Sequence, residues 1–282
     1  MKFNNKWAVC TALCSMMSIQ GGASIAKYLF HLLGPAGAVT LRVGIAGILL
    51  MLITRPALLK FTAKEWLCIL VYGVSIGGLN LTFYYGIQRI PLGIGVAVEF
   101  IGPLGVALFS SRRALDFLWA FLAAAGIMLI VPWNGSGCDI TGLIFTAAAG
   151  LFWALYIITA GKIAGIMKTT DAVACGMCVA TLLALPLSFA SGDIFKLTPH
   201  LLLLGLGVAV FSSALPFTLD LRTMKKISPK TFSILQSLQP AFGALSGLIF
   251  LKEFLTMSQW IAIFLVISAS AGATLTAPEK VR

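Results

Sequence analysis

Long apolar stretches separated by short polar turns run through the whole chain of 282 residues. A helix of about twenty apolar residues is long enough to cross the ~30 Å hydrocarbon core of a bilayer. The pattern therefore predicts an all-α integral membrane protein with ten transmembrane helices and short loops. The predicted spans cover residues 7–27, 35–54, 66–86, 91–111, 114–133, 140–160, 170–190, 200–220, 229–251 and 257–277.

The composition excludes a soluble protein. Hydrophobic residues make up 59% of the chain and charged residues 10%, and the mean hydropathy is +1.00. A soluble domain is about 45–50% apolar and about 25% charged. A soluble protein of this composition would lack the polar side chains needed to cover its surface.

The formal charge of +11 has a simple explanation in membrane topology. If the N-terminus lies inside, fifteen of the 20 Lys and Arg residues fall in cytoplasmic segments and four in outer segments. Cytoplasmic loops of membrane proteins carry an excess of Lys and Arg. The distribution predicts that both termini are cytoplasmic, and it favours the lipid bilayer over nucleic acid as the partner of these charges.

The chain divides into two halves, residues 1–136 and 137–282, that repeat the same features. The stretch Ile90–Arg113 has a counterpart at Ser228–Lys252, in which Pro240 answers Pro103. Because five spans per half is an odd number, the second half must be inverted relative to the first. An inverted repeat with broken helices in corresponding places predicts a transporter whose binding site lies between the halves, with Pro103 and Pro240 as hinges.

The strongest candidate site residue is Glu99, near the middle of the fourth span. An ionisable side chain there costs at least about 2.5–3.5 kcal/mol on insertion scales, so it indicates a function. Two functions fit: proton coupling, and binding of a substrate ammonium group. The structural alternative is an ion pair with Arg42, which otherwise is expected to extend toward an interface.

Further polar and aromatic side chains lie within predicted spans. Asn80 and Tyr84 share one helix face, as do Trp153 and Tyr156. The substrate-binding candidates, in addition to Glu99, are Gln20, Asn80, Tyr84, Trp153, Tyr156, Gln236 and Gln239. Asp220 ends the eighth span beside Arg222, where we expect a solvated ion pair.

Enzymatic chemistry has no visible site in the sequence. No nucleophile–base–acid set, Walker A loop or phosphate-binding glycine loop is present. Cys175 and Cys178 form a CxxC motif inside a span, without a second pair or a nearby histidine, so we expect neither a metal nor a cofactor.

Three stretches resemble the threonine/homoserine exporter group, in the EamA branch of the drug/metabolite transporter superfamily. They are SIQGGASIAK (Ser18–Lys27), the run from Pro91 through Phe117, and SSALPFTL (Ser212–Leu219). The resemblance implies a bacterial inner-membrane protein of ten helices, with a cavity lined by helices 1, 3, 4, 6, 8 and 9. It also implies export of small neutral amino acids, threonine and homoserine foremost, driven by the proton motive force.

The chain departs from the pattern of this group at two places. Gln239 stands next to Pro240 where the group usually has a glutamate, and Lys252-Glu253 replaces a Gly-Glu pair. A missing carboxylate affects substrate charge or coupling rather than the fold. An exporter of drugs or other small metabolites is therefore the alternative function on the same scaffold.

Overall fold

The structure is a computed structural model, which describes residues 6–109, 114–130, 139–163, 165–216, 219–220 and 236–276. All regular secondary structure in these residues is helical, which agrees with the predicted all-α class. The helices are α1 (Lys6–Thr54), α2 (Ala63–Ile87), α3 (Leu92–Glu99), α4 (Ile101–Phe109), α5 (Ala114–Ile130), α6 (Ile140–Ile163), α7 (Thr169–Ala190), α8 (Pro199–Ala209), α9 (Gln239–Leu251) and α10 (Met257–Thr276). A π-helical turn, Val210–Ala214, continues α8.

The first two predicted spans form α1, which bends sharply at Gly34. The predicted loop over residues 28–34 is wrong, because the chain stays helical as far as Leu33, whose side chain is fully buried. Gly34 breaks the helix with φ 64° and ψ 170°, and Pro35 follows. A Cβ atom at position 34 would lie 2.6 Å from Oδ2 of Asp193, so both the conformation and the close approach require glycine.

Within the described part of the chain, four helices are long and apolar enough to cross a membrane. They are Leu32–Thr54, Ala63–Ile87, Ile140–Ile163 and Thr169–Ala190. Other predicted spans contain shorter helices: the fourth is divided between α3 and α4, and the eighth runs from α8 into the π turn. The start of the ninth predicted span, residues 229–235, lies outside the described residues.

The helices pack through close backbone approaches at glycines. The second arm of α1 packs against α7, α2 against α6 and α7, α3 against α9, and α5 against α10. The closest approach joins α4 to α6, where a Cβ atom on Gly102 would overlap the carbonyl oxygen of Gly150. Small residues at such contacts allow helices to pack tightly in a bilayer, where the hydrophobic effect does not drive them together.

Gly102→Ala is expected to destabilise the protein by about 1–3 kcal/mol, because the added methyl group has to displace the backbone of α6. Gly105→Ala, on the same helix, is the matched control, since a Cβ atom there meets nothing within 4 Å. Thermal unfolding in detergent measures both variants. Equal melting temperatures for the two variants would contradict the packing described here.

Candidate functional site

Glu99 lies at a break between two helices. It is the last residue of α3, and α4 begins two residues later. Pro103 has no N–H group, so it cannot donate to the carbonyl oxygen of Glu99 as a helical residue in that position would. The ladder resumes with Leu104, whose N–H donates to the carbonyl oxygen of Phe100 over 3.2 Å. The break places the Glu99 carboxylate inside the protein, where the residue is 7% exposed.

The second half of the chain has a corresponding break before α9. Pro240 is its second residue, and its missing N–H leaves the carbonyl oxygen of Gln236 without a helical donor. Glu99 and Gln236 therefore occupy equivalent positions, each four residues before a proline. The side chain of Gln239 turns back to Gln236, with Nε2 donating to Oε1 over 3.0 Å.

Gln20 on α1 contacts this second break directly. Its Nε2 lies 3.4 Å from the carbonyl oxygen and 3.5 Å from the side-chain oxygen of Gln239, and it donates to both. Ser246 donates to the carbonyl oxygen of Gln20 over 3.0 Å, and its hydroxyl lies 2.9 Å from that of Ser24. The structure thus brings together three predicted residues, Gln20, Gln236 and Gln239, in one polar seam between α1 and α9.

Arg42 forms a second buried polar cluster at the π turn. Its Nε donates to Ser213 Oγ over 2.8 Å, its Nη1 to the Tyr84 hydroxyl over 2.8 Å, and its Nη2 to the carbonyl oxygen of Ser212 over 2.9 Å. With Arg42 only 6% exposed, the expected extension toward an interface is wrong. π turns recur at functional sites, and this one presents a serine hydroxyl and a carbonyl oxygen to the guanidinium.

Glu99 and Arg42 are both buried, at 7% and 6% exposure, but they are not in direct contact. No ion pair joins them among the described residues. The expected Glu99–Arg42 ion pair is therefore absent from the described part of the chain. The Glu99 carboxylate also has no hydrogen-bond partner there.

The remaining predicted residues lie around these two clusters with different surroundings. Trp153 packs edge-on against Phe100 at the first break, with ring centroids 5.3 Å apart. Tyr156 stacks on Tyr72 at 5.4 Å. The Asn80 amide nitrogen donates to the carbonyl oxygen of Ile76 on its own helix over 2.8 Å. One N–H group of the Asn80 amide is therefore not available to a substrate, although the sequence predicts Asn80 to be a substrate-binding residue.

Sequence reasoning missed the burial of Asp220 and the roles of Ser212 and Ser213. Oδ1 of Asp220 is buried without a partner among the described residues, so the expected solvated state is wrong. The nearby Ser15 hydroxyl on α1 donates instead to the carbonyl oxygen of Pro216 over 3.3 Å. Arg222, its expected partner, lies outside the described residues. For the serines, the only available signal was a polar pair within an apolar span.

An ion pair between Lys27 and Glu253 joins segments that are far apart in the sequence. In the predicted topology this pair lies at the outer end of the helix bundle. Lys27 Nζ donates to Oε1 of Glu253 over 2.6 Å and to the carbonyl oxygen of Ile90 over 2.7 Å. The other oxygen of Glu253 accepts the N–H of Leu92 over 2.8 Å. Glu253 therefore binds the end of the first arm of α1 to the start of α3.

The sequence is similar to that of known membrane transporters. The EamA-like transporter family matches residues 140–275. The threonine/homoserine exporter RhtA of Escherichia coli K12 is 43% identical over 270 residues, 95% of this chain and 91% of that protein. RhtA of Salmonella typhimurium LT2 is 42% identical over the same length. The uncharacterized inner membrane transporter YicL of Salmonella typhimurium LT2 is 26% identical over 235 residues, 78% of this chain and 76% of YicL.

A solved crystal structure shares the fold. It is 20% identical, with a TM-score of 0.61, and the match covers 96% of this chain and 97% of that one. At this identity the likeness supports the architecture alone.

Apolar helices broken at buried polar side chains are typical of secondary membrane transporters. The chain belongs to the EamA-like transporter family, and its resemblance to the threonine/homoserine exporter group is confirmed. It is therefore a transporter rather than an enzyme, and a multi-pass protein of the inner membrane.

Glu253→Gln is expected to destabilise the protein by about 1–3 kcal/mol, because it leaves a partly buried Lys27 without its counter-ion. Thermal unfolding in detergent measures the effect. Asp139→Asn is the control, since it breaks an exposed 2.9 Å ion pair with Arg89 and should leave stability nearly unchanged. If Glu253→Gln and the wild type had the same melting temperature, the ion pair would not stabilise the protein as described here.

Proposed function

We propose that this protein exports small neutral amino acids of the threonine and homoserine type across the inner membrane. The observation that carries the proposal is the 43% identity to RhtA of Escherichia coli K12 over 95% of the chain. The interior offers suitable chemistry, since a carboxylate, a guanidinium and several amides are buried at two helix breaks and a π turn. A small zwitterion needs both charges and neutral donors, and this set provides them.

In this proposal the substrate binds between the two helix breaks. Gln20, Gln236 and Gln239 supply amides from one side, and Glu99 supplies the carboxylate from the other. Tyr84 and Trp153 adjoin Arg42 and the first break respectively. The proposed lining is completed by Asn80 and Tyr156.

Proton coupling is assigned to Glu99. A carboxylate inside an apolar protein has its charged form disfavoured, so it can take up a proton from one side and release it to the other. Its lack of a hydrogen-bond partner among the described residues leaves it available for a substrate ammonium or a proton. The inward flow of protons would then drive export of the amino acid.

Alternating access follows from an inverted repeat of residues 1–136 and 137–282, with both termini cytoplasmic. The packing supports this arrangement, because the α2–α6 contact has a counterpart between the first arm of α1 and the π turn that continues α8. In addition, α3 packs against α9 and α5 against α10, which pairs corresponding helices of the two halves. Pro103 and Pro240 lie at equivalent breaks and serve as hinges. The two halves would rock about them to expose the site to either side.

The proposal predicts saturable threonine or homoserine flux by the purified protein in liposomes, increased by an imposed pH gradient. Labelled threonine and homoserine are followed beside other amino acids and one lipophilic cation. Excess unlabelled threonine should block the flux. Cation movement without amino-acid flux would overturn the proposal and favour an exporter of drugs or other metabolites.

Glu99→Gln is expected to reduce gradient-driven threonine flux about tenfold or more, since a hydrogen bond to a charged group contributes about 1.5–3 kcal/mol. Flux is measured in liposomes between pH 5.5 and 8, with Asp139→Asn as the control. Loss of the pH dependence with retained threonine exchange indicates the proton role, and loss of both activities indicates ammonium binding. Wild-type flux with unchanged pH dependence would contradict both roles.

A further inference from the structure

Arg42 carries a buried charge whose contacting partners are all neutral. Its three hydrogen bonds go to the hydroxyl groups of Ser213 and Tyr84 and to the carbonyl oxygen of Ser212. A guanidinium has five N–H groups, so two of its donors have no acceptor among the described residues. Burying a cation inside a membrane protein costs free energy. Such a residue therefore indicates a ligand-binding site or a transport pathway.

A second unsatisfied group lies in the same cluster. Ser212 is fully buried, and its hydroxyl has no hydrogen-bond partner among the described residues. The first arm of α1 packs tightly over it, since a Cβ atom on Gly22 would overlap the Ser212 side chain. Buried hydroxyl groups are normally hydrogen-bonded, so this unpaired one, on the residue whose carbonyl oxygen binds Arg42, can donate to an acceptor on a ligand.

Glu99 supplies the complementary charge at a distance. Both side chains are buried, no ion pair joins them among the described residues, and the carboxylate has no hydrogen-bond partner there. A positive and a negative group separated in an apolar interior match the two ends of a zwitterion. A carboxylate fits the planar fork of a guanidinium with two parallel hydrogen bonds, which a lysine cannot reproduce.

We infer that Arg42 binds the α-carboxylate of the transported amino acid, with the Ser212 hydroxyl as a further donor and Glu99 receiving the ammonium group. This inference rests on the proposed export of amino acids and adds the group that selects for a free carboxylate. The π turn is the element that makes the site. It places the Ser212 carbonyl oxygen and the Ser213 hydroxyl around one side of the guanidinium and leaves the remaining donors for the ligand.

The test compares two competitors of labelled threonine uptake in liposomes. Unlabelled threonine has the carboxylate, and threoninol replaces it with an alcohol. The wild type should be inhibited by threonine at a concentration about tenfold or more below that needed for threoninol. In Arg42→Gln this ratio should fall toward one. Arg42→Lys keeps the charge but loses the fork, and should show an intermediate ratio.

Arg89→Gln is the matched control, because this arginine is exposed and its side chain bonds only to Asp139 among the described residues. It should keep the wild-type ratio. A structural role for Arg42 predicts a different result, in which both competitors weaken together and the ratio stays at the wild-type value. That outcome in a folded Arg42→Gln or Arg42→Lys protein overturns the inference.

The failure of this inference is distinguishable from failure of the proposed function. Equal inhibition of the wild type by threonine and threoninol overturns carboxylate recognition without any variant, while threonine transport itself stands. If the wild type transports no amino acid at all, the proposed function falls and the inference with it. Where Arg42→Gln does not fold, Arg42→Lys and the wild-type ratio decide the question.

Discussion

Backbone hydrogen bonding in a medium without water is the constraint on which this structure depends. Within a bilayer, a break in a helix is tolerated only where the freed backbone is buried in protein or lines a cavity. Pro103 and Pro240 each impose such a break by removing one donor. Neighbouring helices cover both breaks: Gly150 of α6 packs against the first, and Gln20 of α1 donates to the second. The polar residues of the interior are concentrated where regular helix stops.

The charged side chains are used in two different ways. Lys27 and Glu253 are in direct contact at 2.6 Å, and the pair joins segments at one end of the bundle. Arg42 and Glu99 remain apart in the interior, and neutral groups hold Arg42 in place. A contact pair satisfies its own charges and stabilises one arrangement of the helices. A separated pair leaves both charges available to a third group, the role that we propose for them with a zwitterionic substrate.

Part of the site could be predicted from local sequence. A carboxylate or amide four residues before a proline in an apolar span marks both Glu99 and Gln236, because the proline determines where the helix breaks. Helical spacing also places Asn80 and Tyr84 on one face, but it does not show what each side chain contacts. Asn80 bonds to its own helix, whereas Tyr84 accepts a hydrogen bond from Arg42.

The sequence alone determined that the chain is helical, lies in a membrane and breaks at two prolines, because apolar length and a missing N–H act locally. Only the tertiary structure decided the partners of the charged residues. Arg42 bonds to a serine 171 residues away, and Glu253 pairs with a lysine 226 residues away. Such contacts depend on how separate helices pack, and no periodicity within one span records them. The burial of Oδ1 of Asp220, a residue that the sequence predicts to be a solvated helix end, follows from the same packing.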